Sequence, residues 1–106
     1  MAKPRFYDLT ISAVREDTAS SVELSFDIPL TLKSVFAFVP GQYLTLRADI
    51  DGVDVRRSYS ICSPVGSAVV SVGVKSIAGG AFSGFALGLK PGDVLRVMSP
   101  QGRFTA

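Results

Sequence analysis

Apolar and polar residues alternate along most of this chain. Phe6-Tyr7-Asp8-Leu9-Thr10-Ile11-Ser12-Ala13-Val14 and Val22-Glu23-Leu24-Ser25-Phe26-Asp27-Ile28 change character at nearly every step. A period of two sends successive side chains to opposite faces of an extended backbone, so both segments predict half-buried strands. Pro40-Gly41 is a turn signal ahead of a third strand, Tyr43 to Ala48. Asp51-Gly52 is a strong hairpin signal, and Val53 to Ile61 returns as the fourth strand. Ala68 to Lys75 is the fifth. Val94 to Met98 is the sixth, reached through the turn Lys90-Pro91-Gly92-Asp93.

One stretch carries the helical period instead. Phe82, Phe85, Ala86 and Leu89 fall at i, i+3, i+4 and i+7, an apolar stripe that predicts a helix over Ala81 to Leu89, stopped by Pro91. Pro29 to Lys33 reads as loop. Six short strands, tight turns and one helix predict an all-β chain folded as a small antiparallel barrel.

Composition narrows the function classes. The 106 residues suffice for one domain with one core. A formal net charge of +2 gives no reason to expect nucleic acid or a membrane surface as partner. No apolar run is long enough to span a bilayer, and the start leads into alternating residues with no signal-peptide core, so a cytoplasmic protein is expected. The single cysteine, Cys62, excludes an internal disulfide framework. With no histidine at all, neither a zinc site nor a serine–histidine pair is expected, and no metal ligand set is assigned.

Two segments carry candidate chemistry. In Arg57-Ser58-Tyr59-Ser60, Arg57 and Tyr59 share one face of a strand. A tyrosine ring can pack on a flat heteroaromatic ligand, and a guanidinium two residues away can fork onto a pyrophosphate. Ser60 points the other way on a regular strand; a bend at Ile61-Cys62-Ser63-Pro64 would turn it toward the same ligand. In Gly79-Gly80-Ala81-Phe82-Ser83, two glycines precede the predicted helix, whose free N–H groups suit phosphate, with the Ser83 hydroxyl as a further donor. Each motif alone also fits a bland reading: an exposed arginine beside a surface tyrosine, and a flexible turn into a capped helix. Pro40-Gly41-Gln42-Tyr43 reads on physics as the start of a strand. Cys62 reads as a small packing residue, Arg56 as a solvated hairpin charge in preference to a second phosphate ligand, Asp51 and Asp54 as hairpin residues, and Phe104 as packing.

Taken in order, Pro40-Gly41-Gln42-Tyr43, Arg57-Ser58-Tyr59-Ser60, Val74-Lys75 leading to Gly79-Gly80-Ala81-Phe82-Ser83, and Pro91-Gly92-Asp93 resemble the FAD-binding domain of the ferredoxin–NADP reductase superfamily over essentially the whole chain. Within it, Arg57-Ser58-Tyr59-Ser60-Ile61-Cys62-Ser63 and Val97-Met98-Ser99-Pro100-Gln101-Gly102-Arg103-Phe104 are most similar to the reductases of phenylacetate degradation, which serve phenylacetyl-CoA epoxidases. Ring-oxygenase reductases and flavohaemoglobin reductase modules share most of these residues. The resemblance implies a six-stranded antiparallel Greek-key barrel capped by one helix. It implies FAD with its ring system on Tyr59, Ser60 near the reactive ring nitrogen as a catalytic residue, and Arg57 on the pyrophosphate. Ser58, Val74, Lys75, Gly79, Gly80, Phe82 and Ser83 complete the implied cofactor-binding set. It implies a full-length NAD(P)H-dependent flavin oxidoreductase that passes electrons through an iron–sulfur centre to oxygenase subunits. The chain has no G-x-G-x-x-G, and one cysteine cannot hold a cluster. Residues 1–106 therefore read as the FAD-binding domain of a longer reductase, without the nicotinamide and iron–sulfur domains and inactive in turnover alone. A flavin-free small-barrel binding or interaction module is the rival of a different class.

Overall fold

The structure, a computed structural model, describes residues 5–18, 21–67, 69–75, 86 and 88–102. Six strands run β1 Phe6–Thr18, β2 Ser21–Asp27, β3 Tyr43–Ile50, β4 Val53–Ser60, β5 Val69–Lys75 and β6 Val94–Met98. Every pairing is antiparallel and the spatial order is β4-β3-β6-β1-β2-β5. The two edges approach each other where Ile61, just past β4, bridges Val72 of β5 and Cys62 N donates to Ser71 O at 2.9 Å. The sheet thus curls into the expected all-β antiparallel barrel.

Alternation places the core. Leu9 and Ile11 of β1, Leu24 and Phe26 of β2, Leu44 and Leu46 of β3, Val72 and Val74 of β5 and Val97 of β6 point inward and are buried. Each such side chain contributes about 1.5–3 kcal/mol by leaving water. Phe36 joins them from the connection between β2 and β3. That connection holds one short 3₁₀ turn, Leu30–Leu32, inside the segment read as loop. Phe36 N closes onto Leu32 O at 3.0 Å, which swings the ring into the core.

Two boundaries differ from expectation. β1 runs four residues past Val14: beyond a bulge between Ile11 and Ala13, the pairs Arg15↔Glu23 and Glu16↔Val22 continue the ladder although Arg15 and Glu16 carry no apolar signal of their own. β4 ends at Ser60, with Ile61 as an isolated bridge. The two turns form as read. Asp51 (φ 52°) and Gly52 (φ 80°) are both left-handed, the condition for a type I′ hairpin. Gly92 (φ 95°) follows Pro91, and Asp93 N returns to Lys90 O at 3.1 Å. Of the predicted helix, Ala86 is helical and fully buried and Leu89 packs on the core; the remainder, apart from Gly88, lies outside the described residues. Among the described residues no helix is long and apolar enough to cross a membrane.

Candidate functional site

The candidate site is the stretch of β4 that runs free before the barrel closes. Arg57 and Tyr59 pair with Leu46 and Leu44 and share the core-facing side of the sheet with Val55. β4 forms an edge here, so the two side chains are not swallowed: Arg57 stays exposed and Tyr59 is half-buried against the core cluster. The spacing of two therefore places guanidinium and ring on one face, as the sequence requires.

Their chemical states differ. Among the described residues the ion pairs are Arg15–Glu23, Arg47–Asp54 and Arg56–Asp54, so Arg57 is bound to no carboxylate. Its Nη1 turns back to the carbonyl of Arg56 at 2.7 Å. Burial pushes the Tyr59 phenol above its ordinary value of 10.0, against the opposing pull of the Arg57 charge. The ring is therefore neutral at physiological pH and presents an uncharged aromatic surface beside a cation.

Ser58 and Ser60 occupy the outer face. The Ser58 hydroxyl shares a hydrogen bond of 2.9 Å with Thr45 Oγ1, and Ser60 lies directly opposite Tyr43. β4 stays regular up to Ser60, so the hydroxyl of Ser60 does not turn toward the Tyr59 face. The backbone amides point instead within the plane of the sheet, alternately to β3 and to its edge. Ile61 N donates to Gln42 O at 3.1 Å, and antiparallel alternation then directs the amides of Tyr59 and Arg57 to β3 and those of Ser58 and Ser60 to the opposite, free edge. Cys62, next in that outward series, gives its N–H to Ser71 O of β5.

Val74 and Lys75 end β5 on the far side of this edge, Val74 buried and Lys75 exposed. Carrying the Ile61↔Val72 register back by two residues aligns Tyr59 with Val74. Among the described residues the two strands are bridged only at Ile61, which leaves a gap between them lined by Arg57, the outward N–H groups of Ser58 and Ser60, Tyr59, and the end of β5. Gly79, Gly80, Phe82 and Ser83 follow β5 in sequence and lie outside the described residues.

Other readings are refined by the structure. Arg56 is exposed, as a solvated charge would be, and is also partnered: it bonds Asp54 through Nε and Nη2 and lies 5.3 Å from the centre of the Phe6 ring. Asp54 does more than serve a hairpin, since Arg47 also donates to it at 2.9 Å; that hydrogen bond leads in holding its carboxyl below the usual 3.8. Cys62 is exposed, and Glu23 Oε2 lies 3.7 Å from its sulfur. A cavity of about 450 Å³ is lined by Lys33, Phe36, Phe38, Val65 and Ser67, beyond the strand closure from Tyr59. It does not include Arg57, which stands on an open strand edge and not in an enclosed space. Sequence reasoning read Pro40-Gly41-Gln42-Tyr43 as a strand start and gave Gln42 and Tyr43 no role of their own. Among the described residues no group of three or more His, Cys, Asp or Glu could hold a metal ion.

Comparison with known proteins identifies the family and the fold. A family model described as an oxidoreductase FAD-binding domain matches residues 9–106. The chain is similar to the E component of 1,2-phenylacetyl-CoA epoxidase from Escherichia coli K12, 43% identical over 100 residues, covering 93% of this chain and 28% of that protein. It is 39% identical to the ferredoxin reductase component of 3-ketosteroid-9-alpha-monooxygenase from Rhodococcus rhodochrous, over 92% of this chain and 28% of that one. The chain thus spans under a third of the length of these two relatives. Among solved structures, a ferredoxin NADP+ reductase from Neisseria gonorrhoeae with bound FAD and NADP superposes with a TM-score of 0.81 at 19% identity, over 95% of this chain and 40% of that one. At that identity the likeness concerns the fold.

Proposed function

The chain belongs to the oxidoreductase FAD-binding domain family, of the ferredoxin–NADP reductase type, and from that premise we propose that it holds FAD in the gap between β4 and β5. The observation that carries this reading is that Arg57 has no carboxylate partner among the described residues. Its two arginine neighbours on the sheet, Arg47 and Arg56, share the carboxylate of Asp54, whereas among the described residues no carboxylate pairs with Arg57, whose charge is left for a ligand. It stands on the face that carries the half-buried Tyr59 ring. The donor set fits a flavin dinucleotide. Arg57 meets the pyrophosphate, the Tyr59 ring lies on the flavin ring system, and the outward N–H groups of Ser58 and Ser60 address its polar edge. Ser60, read from the resemblance as the catalytic residue, acts here through its backbone. Val74 and Lys75 close the second side, and Gly79, Gly80, Phe82 and Ser83 complete the phosphate cradle.

A bound flavin supplies the exchange between two-electron hydride chemistry and one-electron transfer. The role of this chain is to orient it and shield one face from water. We place the barrel as the flavin domain of a longer, cytoplasmic NAD(P)H-dependent reductase. Its nicotinamide and iron–sulfur domains are supplied by residues beyond these 106, and its electrons pass to an oxygenase. The similarity to an epoxidase component favours phenylacetate degradation, while the similarity to a steroid monooxygenase reductase and to flavohemoproteins supports the general reductase role equally well.

Titration of the purified chain with FAD tests the reading. Saturable quenching of flavin fluorescence and a yellow protein after desalting are the expected result. Unquenched flavin and colourless protein would refute it and favour a flavin-free interaction module.

A further inference from the structure

We propose that Gln42 is a positioning residue that fastens the flavin-side end of β4 to the segment by which the chain leaves the barrel, so that the two move as one body. The inference rests on the flavin reading above for its functional consequence, and on hydrogen bonds alone for its mechanical part. Three segments meet at this residue. Its side-chain Oε1 accepts from Val39 N at 3.0 Å, its Nε2 donates to Gly102 O at 3.0 Å, and its own carbonyl accepts from Ile61 N at 3.1 Å. The partners dictate how the amide is turned, because Val39 N–H requires an acceptor and Gly102 C=O requires a donor. A primary amide satisfies both at once; neither a carboxylate nor an aliphatic side chain does.

The neighbouring residues extend the same joint. Tyr43 and Gln101 exchange both backbone hydrogen bonds at 3.0 Å, while Tyr43 also stands opposite Ser60 in the β3–β4 ladder. The Tyr43 ring lies against Gly102, so closely that a Cβ there would meet Cε2 at 2.9 Å. Gln101 Nε2 adds a bond to Ser99 O at 3.2 Å. The exit segment Ser99–Gly102 is therefore built onto Gln42 and Tyr43, and Gln42 and Tyr43 onto Ser60 and Ile61. A displacement of the exit segment must shift the strand end whose outward N–H groups face the ligand gap.

Amide hydrogen exchange on the ligand-free chain, followed by NMR, tests the mechanical part in Gln42→Leu and Gln42→Glu. In Q42L the amides of Tyr43, Ile61 and Gln101 should exchange about tenfold faster than in the parent, the loss of roughly one hydrogen bond, while Leu9 of β1 and Leu24 of β2, away from both sheet edges, stay unchanged. Q42E should behave as Q42L above the carboxyl pKa. Below it, a protonated carboxyl both accepts and donates, and parent protection should return when variant and parent are compared at equal pH. The flavin arm repeats the series with FAD. Q42L should bind about tenfold more weakly and change the visible circular dichroism of the flavin, and Q42E should recover both at low pH. Parent-like exchange at all three amides in Q42L, or in Q42E above its pKa should Q42L fail to fold, overturns the proposal. Altered exchange with parent-like FAD binding overturns the coupling to the flavin. A parent chain that binds no FAD defeats the flavin reading, and the exchange data then decide the joint alone.

Discussion

Arg56 and Arg57 are adjacent in sequence and take opposite roles on β4: Arg56 is bound to Asp54 at 3.1 Å on the outer face, whereas Arg57 sits on the Tyr59 face and, among the described residues, bonds its neighbour's carbonyl at 2.7 Å and no carboxylate. A strand's two-residue period separates them, and the single carboxylate of Asp54 can reach only one. Arg57→Ala should therefore weaken FAD binding by about 10- to 100-fold, the worth of a charge-assisted hydrogen bond. Arg56→Ala should leave it within about threefold. Calorimetric or fluorescence titration of both variants checks this, and equal losses would remove Arg57 from its assigned place.

Tyr59 titrates in a known direction. Burial raises its pKa above 10.0 in the folded state, so the unfolded phenol ionises first as pH climbs. Its contribution to stability is complete below pH 10 and is lost as pH rises through the folded value. Between pH 9 and 11 the parent should lose more thermal stability than Tyr59→Phe, which has no proton to release. Because the Arg57 charge opposes the rise, Arg57→Ala should move the phenol higher still. Parallel melting curves of parent and Tyr59→Phe across this range would contradict the assignment. At neutral pH, Tyr59→Phe should bind FAD nearly as well as the parent and Tyr59→Ala distinctly less, since ring contact and not the hydroxyl provides the surface.

Asp54 behaves oppositely. The hydrogen bond from Arg47 leads in depressing its pKa below 3.8, desolvation opposes, and Arg56 adds to the depression. Its stabilising contribution is present above pH 3.8 and vanishes as pH falls through the depressed value. The parent should melt slightly above Asp54→Asn at neutral pH, with the gap narrowing in strong acid and in high salt. A gap that persists at pH 2 would mean the carboxyl acts through packing.

Gly102 and Gly92 both sit at left-handed φ, +99° and +95°, yet only Gly102 has a ring against it. Alanine at Gly92 incurs the backbone strain alone, about 1–3 kcal/mol. Alanine at Gly102 incurs that strain and must also displace the Tyr43 ring. Chemical denaturation should rank Gly102→Ala below Gly92→Ala in stability, and it should show weakened protection at Gln101 in the first variant only. The reverse ranking would mean that the ring yields freely.

Alternation made the strands legible. Leu44-Thr45-Leu46-Arg47-Ala48 announces its buried face one residue at a time, and Asp51-Gly52 announces its turn through the only backbone geometry it favours. The tail of β1 was not legible, because Arg15 and Glu16 are held by cross-strand pairing beyond a bulge and carry no apolar rhythm. The short turn at Leu30–Leu32 was missed for a similar reason: what it achieves is the burial of Phe36, a contact made four residues later.

By itself the sequence determined which residues could share a face. Periodicity is a local property, so Arg57 with Tyr59, and Val72 with Val74, were settled by their spacing. What only the tertiary structure decided is which charges remain available and which distant segments are joined. Asp54 pairs with Arg47 across the hairpin and, among the described residues, leaves Arg57 without a carboxylate; Gln42 reaches Gly102 across sixty residues of chain. Hydrogen bonds and ion pairs act over a few ångströms of space with no regard for sequence separation. The partner that satisfies a side chain is therefore fixed only when the sheet closes and its edges are brought within reach.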